Sequence, residues 1–123
     1  MTAKLHIGIA GAGSAGLATA IAFARRGHRV TVLEKHQSLA PLGAGLLIQP
    51  QGIRALQQLG LKDQFEKVSL PIRRLLGESH LGWRIVDIAY DQELARSVSR
   101  DRLAQTLFDE ALSAGTVVQF ASP

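Results

Sequence analysis

The sequence of 123 residues contains no cysteine and very few aromatic residues, and both absences exclude classes of protein. Without cysteine there is no disulfide, no thiolate metal site and no cysteine nucleophile, and a reducing compartment such as the cytoplasm is favoured. One Trp and one Tyr are too few for the interleaved aromatic side chains of a single-strand nucleic-acid binder. The formal net charge is only +4, and the basic residues fall in short scattered groups. We therefore expect neither a disulfide scaffold nor a nucleic-acid partner.

The sequence also lacks an uninterrupted apolar run of membrane-spanning length. Residues 5–24 contain only three polar side chains, which leaves open a membrane span or signal peptide, and also a glycine-rich turn that binds no nucleotide. However, glycines interrupt this stretch, no strongly basic segment precedes it, and it continues directly into a strand pattern. We therefore expect no membrane span.

Hydrophobic residues make up 46% of the chain, which is ample for one globular domain.

The most informative stretch is residues 4–34, KLHIGIAGAGSAGLATAIAFARRGHRVTVLE. It is typical of a strand, a glycine turn, a helix and a second strand. Gly11, Gly13 and Gly16 follow the first apolar run and open the predicted helix. Glu34 lies 18 residues after Gly16, at the end of the second apolar run. This context, rather than the G-x-G-x-x-G pattern alone, predicts a dinucleotide site.

Each residue of this pattern has a physical role in such a site. Gly11 permits a tight turn, Gly13 lets a pyrophosphate approach the backbone, and Gly16 lets the helix pack closely on the strand. The start of the helix offers unpaired N–H groups and the positive end of its dipole to the pyrophosphate. Glu34 can accept hydrogen bonds from the two hydroxyls of an adenosine ribose. Because it would also repel a 2′-phosphate, NADP is disfavoured at this site.

The remaining chain predicts a long interruption of the α/β pattern. The expected elements are a loop over residues 35–50, a helix ending at Gly60, a helical turn over 62–67, strands over 72–76 and 83–89, a helix from Ser99 to about residue 114, and a strand over 116–120. A plain βαβ unit needs roughly 30 residues. Here the third strand follows the second by about 80 residues. The pattern therefore predicts a Rossmann-like βαβ fold with a substantial insertion.

Three segments resemble the FAD-dependent aromatic hydroxylases, the single-component flavoprotein monooxygenases that include p-hydroxybenzoate and salicylate hydroxylases. The first is the run to Glu34 and Lys35, the second is residues 42–61, LGAGLLIQPQGIRALQQLGL, and the third is residues 98–112, VSRDRLAQTLFDEAL. Together they cover most of the chain in the expected order. The resemblance implies an α/β, Rossmann-like FAD-binding βαβ with an inserted helix and hairpin before the third parallel strand.

The resemblance also implies cofactor-binding residues, which are Gly11, Gly13, Ala15, Gly16, Glu34, Lys35, Gly43, Ala44, Gly45 and Arg100. The first four would surround the FAD pyrophosphate, and Glu34 would bind the adenosine ribose with Lys35 nearby. Residues 43–45 would run past the cofactor toward its flavin end. Arg100 would contact the phosphate–ribose region, and a cation in the first turn of a helix is better explained by an anion than by the helix dipole. No catalytic or metal-binding residue is expected in this chain.

Members of the family are several hundred residues long and carry two further FAD-contacting motifs, Asp-Gly and Gly-Asp, that are absent from this sequence. We therefore expect residues 1–123 to be the N-terminal part of an FAD-binding domain, inactive alone and with weak or no binding of FAD. The intact protein is expected to be cytoplasmic and to hydroxylate a small aromatic or related substrate with NAD(P)H and O2. Two alternatives stay open: a related FAD oxidoreductase, such as an epoxidase, halogenase or reductase, and a non-catalytic NAD- or FAD-binding module.

Overall fold

A computed structural model describes residues 3–39 and 43–123. The chain forms two compact units, which we call the first unit (Met1–Ala44 with Ser99–Pro123) and the second unit (Gly45–Val98). In chain order the elements are β1 (His6–Ala10), α1 (Ser14–Arg25), β2 (Arg29–Leu33), β3 (Gly45–Ile48), α2 (Pro50–Gln58), α3 (Lys62–Val68), β4 (Ser69–Ile72), β5 (Arg74–Glu78), β6 (Arg84–Ala89), β7 (Ala95–Ser99), α4 (Arg100–Ser113) and β8 (Val117–Gln119).

The first unit contains a parallel sheet with the strand order β1-β2-β8. Ile7 pairs with Val30 across the first two strands, and Thr31 pairs with Val117 across the second pair. The predicted third parallel strand, which comes long after the second in the chain, is therefore confirmed. The carboxyl ends of all three strands meet at one edge of the sheet, which is where ligands bind in open α/β folds.

The core of the first unit lies between β2 and the two helices. Its buried side chains are Leu17, Ala20 and Ile21 of α1, Val30 and Val32 of β2, and Leu103, Leu107 and Ala111 of α4. These positions recur at helical spacing on α1 and α4, so one apolar face of each helix is buried in this core. Arg25 and Glu110 form an ion pair between the two helices.

The second unit combines a mixed sheet, a hairpin and two helices. Its three-stranded sheet has the order β3-β7-β4, with β4 and β7 antiparallel, and β5 pairs with β6 as a separate antiparallel hairpin. The side chains of Leu56, Leu61, Phe65, Ala95 and Val98 are buried. As predicted, α2 ends before Gly60, and the Leu61 N–H turns back to donate to the carbonyl of Leu56 at 2.9 Å.

Two predictions for this region are wrong. Part of the predicted loop over residues 35–50 is strand β3, because Gly45–Ile48 pairs with β7, a partner too distant in sequence to be seen from local periodicity. Ala40, Pro41 and Leu42 of that loop lie outside the described residues. The strand predicted over 72–76 is divided between β4 and β5, and Gly77 belongs to β5 rather than to the turn.

The described helices also bear on the membrane alternative. Within residues 3–39 and 43–123, no helix has the length and apolar character that crossing a bilayer requires. The apolar stretch over residues 5–24 is instead divided between β1 and α1, with the glycine turn between them.

Candidate functional site

The glycine turn joins β1 to α1 in the first unit. Gly11 has a φ of +100°, a left-handed conformation that favours glycine, and its N–H donates to the Leu33 carbonyl at 2.7 Å. A Cβ placed on Gly16 would lie 2.1 Å from the Gly11 carbonyl oxygen. Thus the turn requires glycine at position 11, and the close packing of α1 against the turn requires it at position 16.

The start of α1 forms an open surface beside this turn. Gly13 is the N-cap and therefore offers no side-chain cap, while its carbonyl accepts from the Leu17 N–H at 2.9 Å. In the part of the chain that the structure describes, no group accepts from the N–H of Ser14, Ala15 or Gly16. A Cβ on Gly13 would meet nothing within 4 Å. These features leave room and unpaired donors for an anion at the positive end of the helix dipole.

Glu34 follows β2 directly and is held by three protein donors. The Ala12 N–H donates to Oε2 at 2.8 Å, and the His36 N–H donates to Oε1 at 3.0 Å. The Nδ1 atom of His36 also lies 3.0 Å from Oε1. Only 13% of the Glu34 side chain is exposed. The amide of His36, followed by that of Ala12, holds the pKa of the Glu34 carboxyl below its ordinary value, so this carboxylate is ionised at neutral pH.

The loop that carries Glu34 is fixed by the chain that follows β8. The Glu34 N–H donates to the Gln119 carbonyl at 2.8 Å, and the Glu34 carbonyl accepts from the Ser122 N–H at 2.9 Å. The Ala121 N–H donates to the His36 carbonyl at 2.8 Å. Ala121 adopts a φ of 53°, which is uncommon for a residue with a Cβ. These backbone bonds hold the loop in place.

An open groove of about 590 Å³ lies at this edge of the sheet. It is lined by Ala10, Gly11, Gly13, Leu33, Glu34, Lys35, His36, Ser38, Leu39, Ser122 and Pro123. Apolar side chains make up much of the wall, and the Glu34 carboxylate stands among them. An apolar slot beside a fixed acceptor has the chemistry needed to hold a flat base and its sugar.

The structure brings some of the predicted site residues into this groove and places others elsewhere. Gly11, Gly13, Glu34 and Lys35 line the groove, and Ala15 and Gly16 lie in the adjoining first turn of α1. Gly45 belongs to the second unit, where it begins β3.

Arg100 and Ala44 lie together in the first unit, outside the groove lining. The Arg100 N–H donates to the Ala44 carbonyl at 3.0 Å, and Gly43 precedes this contact as an exposed residue. Ser99 is the N-cap of α4, because its hydroxyl accepts from the Arg102 N–H at 3.3 Å. The Arg100 side chain is exposed and has no hydrogen-bond or ion-pair partner among the described residues.

Sequence reasoning did not select several residues of the groove, namely Ser38, Leu39, Ser122 and Pro123. A signal for the last two was available, because a third parallel strand brings the residues after it to the same sheet edge as the glycine turn. The contact of His36 with Glu34 depends on the loop conformation and has no pattern in the sequence. Across the described residues, no group of three or more His, Asp or Glu side chains could hold a metal ion.

The parallel sheet, the glycine turn and the fixed carboxylate define a dinucleotide-binding α/β domain. The sequence profile of the FAD binding domain family matches residues 4–122, so the chain belongs to that family. Among curated relatives, Monooxygenase 1 of Arabidopsis thaliana is 38% identical over 117 residues, which are 93% of this chain and 29% of that protein. The 3-hydroxybenzoate 6-hydroxylase 1 of Aquipseudomonas alcaligenes is 39% identical over 71 residues, which are 58% of this chain and 18% of that protein.

Solved structures show the same fold. A structure of 2-methyl-3-hydroxypyridine-5-carboxylic acid oxygenase matches with a TM-score of 0.85 and 26% identity, covering 98% of this chain and 32% of that one. The chain therefore spans about a third or less of the length of the relatives described here. These relatives are oxygenases and hydroxylases, as expected from the resemblance seen in the sequence.

Proposed function

We propose that this chain is the FAD-binding portion of a flavin-dependent monooxygenase, and that its first unit holds the ADP half of FAD. The observation that carries the proposal is the arrangement at one sheet edge of an ionised carboxylate, an open helix start and a groove. Glu34 supplies the acceptor for the ribose, and the N–H groups at the start of α1 supply donors for the pyrophosphate.

The residues of the first unit fit this cofactor. Gly13 has open space beyond its Cα although its backbone requires no glycine, which a ligand lying against the backbone would explain. Ala15 and Gly16 offer their N–H groups from the first turn of α1, and Lys35 adds a positive charge at the groove wall. The Arg100 side chain is exposed and free to contact a phosphate. We propose that Gly43, Ala44 and Gly45 run toward the flavin end.

The proposed activity belongs to the protein that contains this domain. Residues 1–123 would be the N-terminal part of the FAD-binding domain, and the substrate-binding half would come from other residues. When bound, FAD supplies the redox chemistry that couples NAD(P)H oxidation to insertion of an oxygen atom from O2 into a small aromatic substrate. The residues of the first unit bind and orient its ADP half. We propose a cytoplasmic location, because NAD(P)H is available there and a chain without cysteine suits a reducing compartment.

Competitive titration would test the cofactor assignment. The protein is titrated with FAD while flavin fluorescence is followed, and ADP, NAD and NADP are then added as competitors. We expect ADP to displace FAD and NADP to compete poorly, because Glu34 repels its 2′-phosphate. For the chain of 123 residues alone we expect weak binding that does not survive ultrafiltration. Binding of NAD without binding of FAD would contradict the proposal and favour a non-catalytic NAD-binding module.

A further inference from the structure

Donors of the protein itself occupy most of the hydrogen-bond acceptor sites on the Glu34 carboxylate. An ionised carboxylate only accepts hydrogen bonds, and its two oxygens together offer about four acceptor sites. The Ala12 N–H takes one site on Oε2, at 2.8 Å. The His36 N–H and the His36 ring each take one on Oε1, both at 3.0 Å. These three are the hydrogen bonds of ordinary length that the described residues make to the Glu34 carboxylate, and they leave one site, on Oε2, for a ligand.

The His36 ring must be the donor in its contact with Glu34. A carboxylate that is ionised carries no proton, so the proton between Nδ1 and Oε1 belongs to the imidazole. The backbone N–H of the same residue reinforces this arrangement from a fixed position, since the His36 carbonyl is tied to the Ala121 N–H. The ring itself is 57% exposed and lines the groove, so it can be replaced without leaving a cavity in the core.

We propose that His36 is a specificity-determining residue of the adenosine subsite, because its ring occupies the Glu34 oxygen that a second ribose hydroxyl would need. Glu34 consequently binds one hydroxyl of the ribose rather than both. Removing the ring donor frees a site on Oε1 and converts Glu34 into an acceptor for two hydroxyls. This inference rests on the proposed binding of the ADP half of FAD.

Two deoxynucleotides can distinguish a Glu34 that binds one ribose hydroxyl from a Glu34 that binds both. The affinities of ADP, 2′-deoxy-ADP and 3′-deoxy-ADP are measured by calorimetric titration of the wild-type protein and of His36→Ala. In the wild type we expect one deoxynucleotide to bind about tenfold more weakly than ADP, and the other to bind as well as ADP. In His36→Ala we expect both to bind about tenfold more weakly, and ADP itself to bind severalfold more tightly than to the wild type.

Two control variants isolate the ring donor. His36→Phe keeps an aromatic ring but has no N–H, so we expect it to behave like His36→Ala. His80→Ala changes an exposed histidine of the second unit and should leave all three affinities unchanged. The inference is overturned if wild type and His36→Ala show the same preference between the two deoxynucleotides, or if His36→Phe retains the wild-type preference. Failure of ADP to bind any of these proteins would instead contradict the proposed function.

Discussion

The two units of this chain differ in the kinds of unpaired or exposed groups that they present. In the first unit, polar groups converge at one sheet edge, where open N–H groups of α1 lie near an ionised Glu34. In the second unit, three apolar side chains on or beside the hairpin, Leu81, Trp83 and Ile85, are each about 70% exposed. Unpaired backbone donors beside an ionised acceptor can bind a small polar ligand. Scattered exposed apolar side chains are common on protein surfaces and do not identify a ligand. For this reason the proposed cofactor site rests on the first unit alone.

The largest expected effect comes from closing the space at Gly16. In Gly16→Ala the new Cβ would lie 2.1 Å from the Gly11 carbonyl oxygen, a backbone atom that can move only with the whole turn. We expect the free energy of unfolding to fall by about 3 kcal/mol and ADP binding to be lost, because overpacking here distorts the turn. Chemical denaturation and ADP titration measure both effects.

The matched control for Gly16→Ala is Gly8→Ala. Gly8 lies in β1, and a Cβ there would meet nothing within 4 Å. We expect its free energy of unfolding to change by less than about 0.5 kcal/mol. Equal effects of the two alanines would mean that the close contact of α1 with the turn is unimportant.

The next largest effect is expected from Glu34→Gln. The amide that replaces the carboxylate would place an N–H₂ group against the N–H donors of Ala12 and His36, and it could not accept as strongly from a ribose. We expect the affinity for ADP to fall by about tenfold or more. Glu66→Gln, an exposed glutamate of α3, serves as the control and should change neither affinity nor stability.

The same variant makes a prediction about pH. Because the pKa of Glu34 is lowered in the folded state, its ionised form stabilises the fold above the ordinary glutamate pKa of about 4.3. This contribution is lost as the pH falls through the lowered pKa. The difference in unfolding free energy between wild type and Glu34→Gln should therefore be constant from about pH 6 to 8 and shrink below about pH 4. A difference that grows on acidification would contradict the assigned sign.

How much the sequence predicted also differs between the units. In the first unit, all three parallel strands and both helices were predictable, because β1, α1 and β2 follow one another and Ser99 marks the start of α4. In the second unit, β3 was missed because its partner β7 lies about 50 residues further along the chain. Local periodicity shows which face of an element is apolar, but it does not show which distant strand will pair with it.

The residues of the candidate site were likewise predictable only in part. The roles of Gly11 and Gly16 in the fold follow from backbone geometry that the motif encodes, and the structure shows both. The cofactor contacts of Gly43, Ala44, Gly45 and Arg100 came from the family resemblance and stay predictions. His36 could not be predicted as a partner of Glu34, because the contact depends on how the loop after β2 turns.

The smallest effect is expected from Trp83→Ser in the second unit. Trp83 is 73% exposed, so its replacement removes little buried surface. We expect the free energy of unfolding to change by less than about 0.5 kcal/mol and the affinity for ADP to stay unchanged. A tenfold loss of ADP affinity would show that the second unit contributes to ADP binding. It would contradict the claim that the site rests on the first unit alone.

The most direct measurement is a map of the backbone amides that respond to ADP. Two-dimensional ¹H–¹⁵N spectra of the protein are recorded during an ADP titration. The account predicts that the largest shifts fall on the amides of residues 11–16 and 34–36, with the amides of the hairpin β5–β6 unaffected. Largest shifts in the hairpin, or none at the glycine turn at saturating ADP, would contradict the claim that the first unit holds the ADP half of FAD.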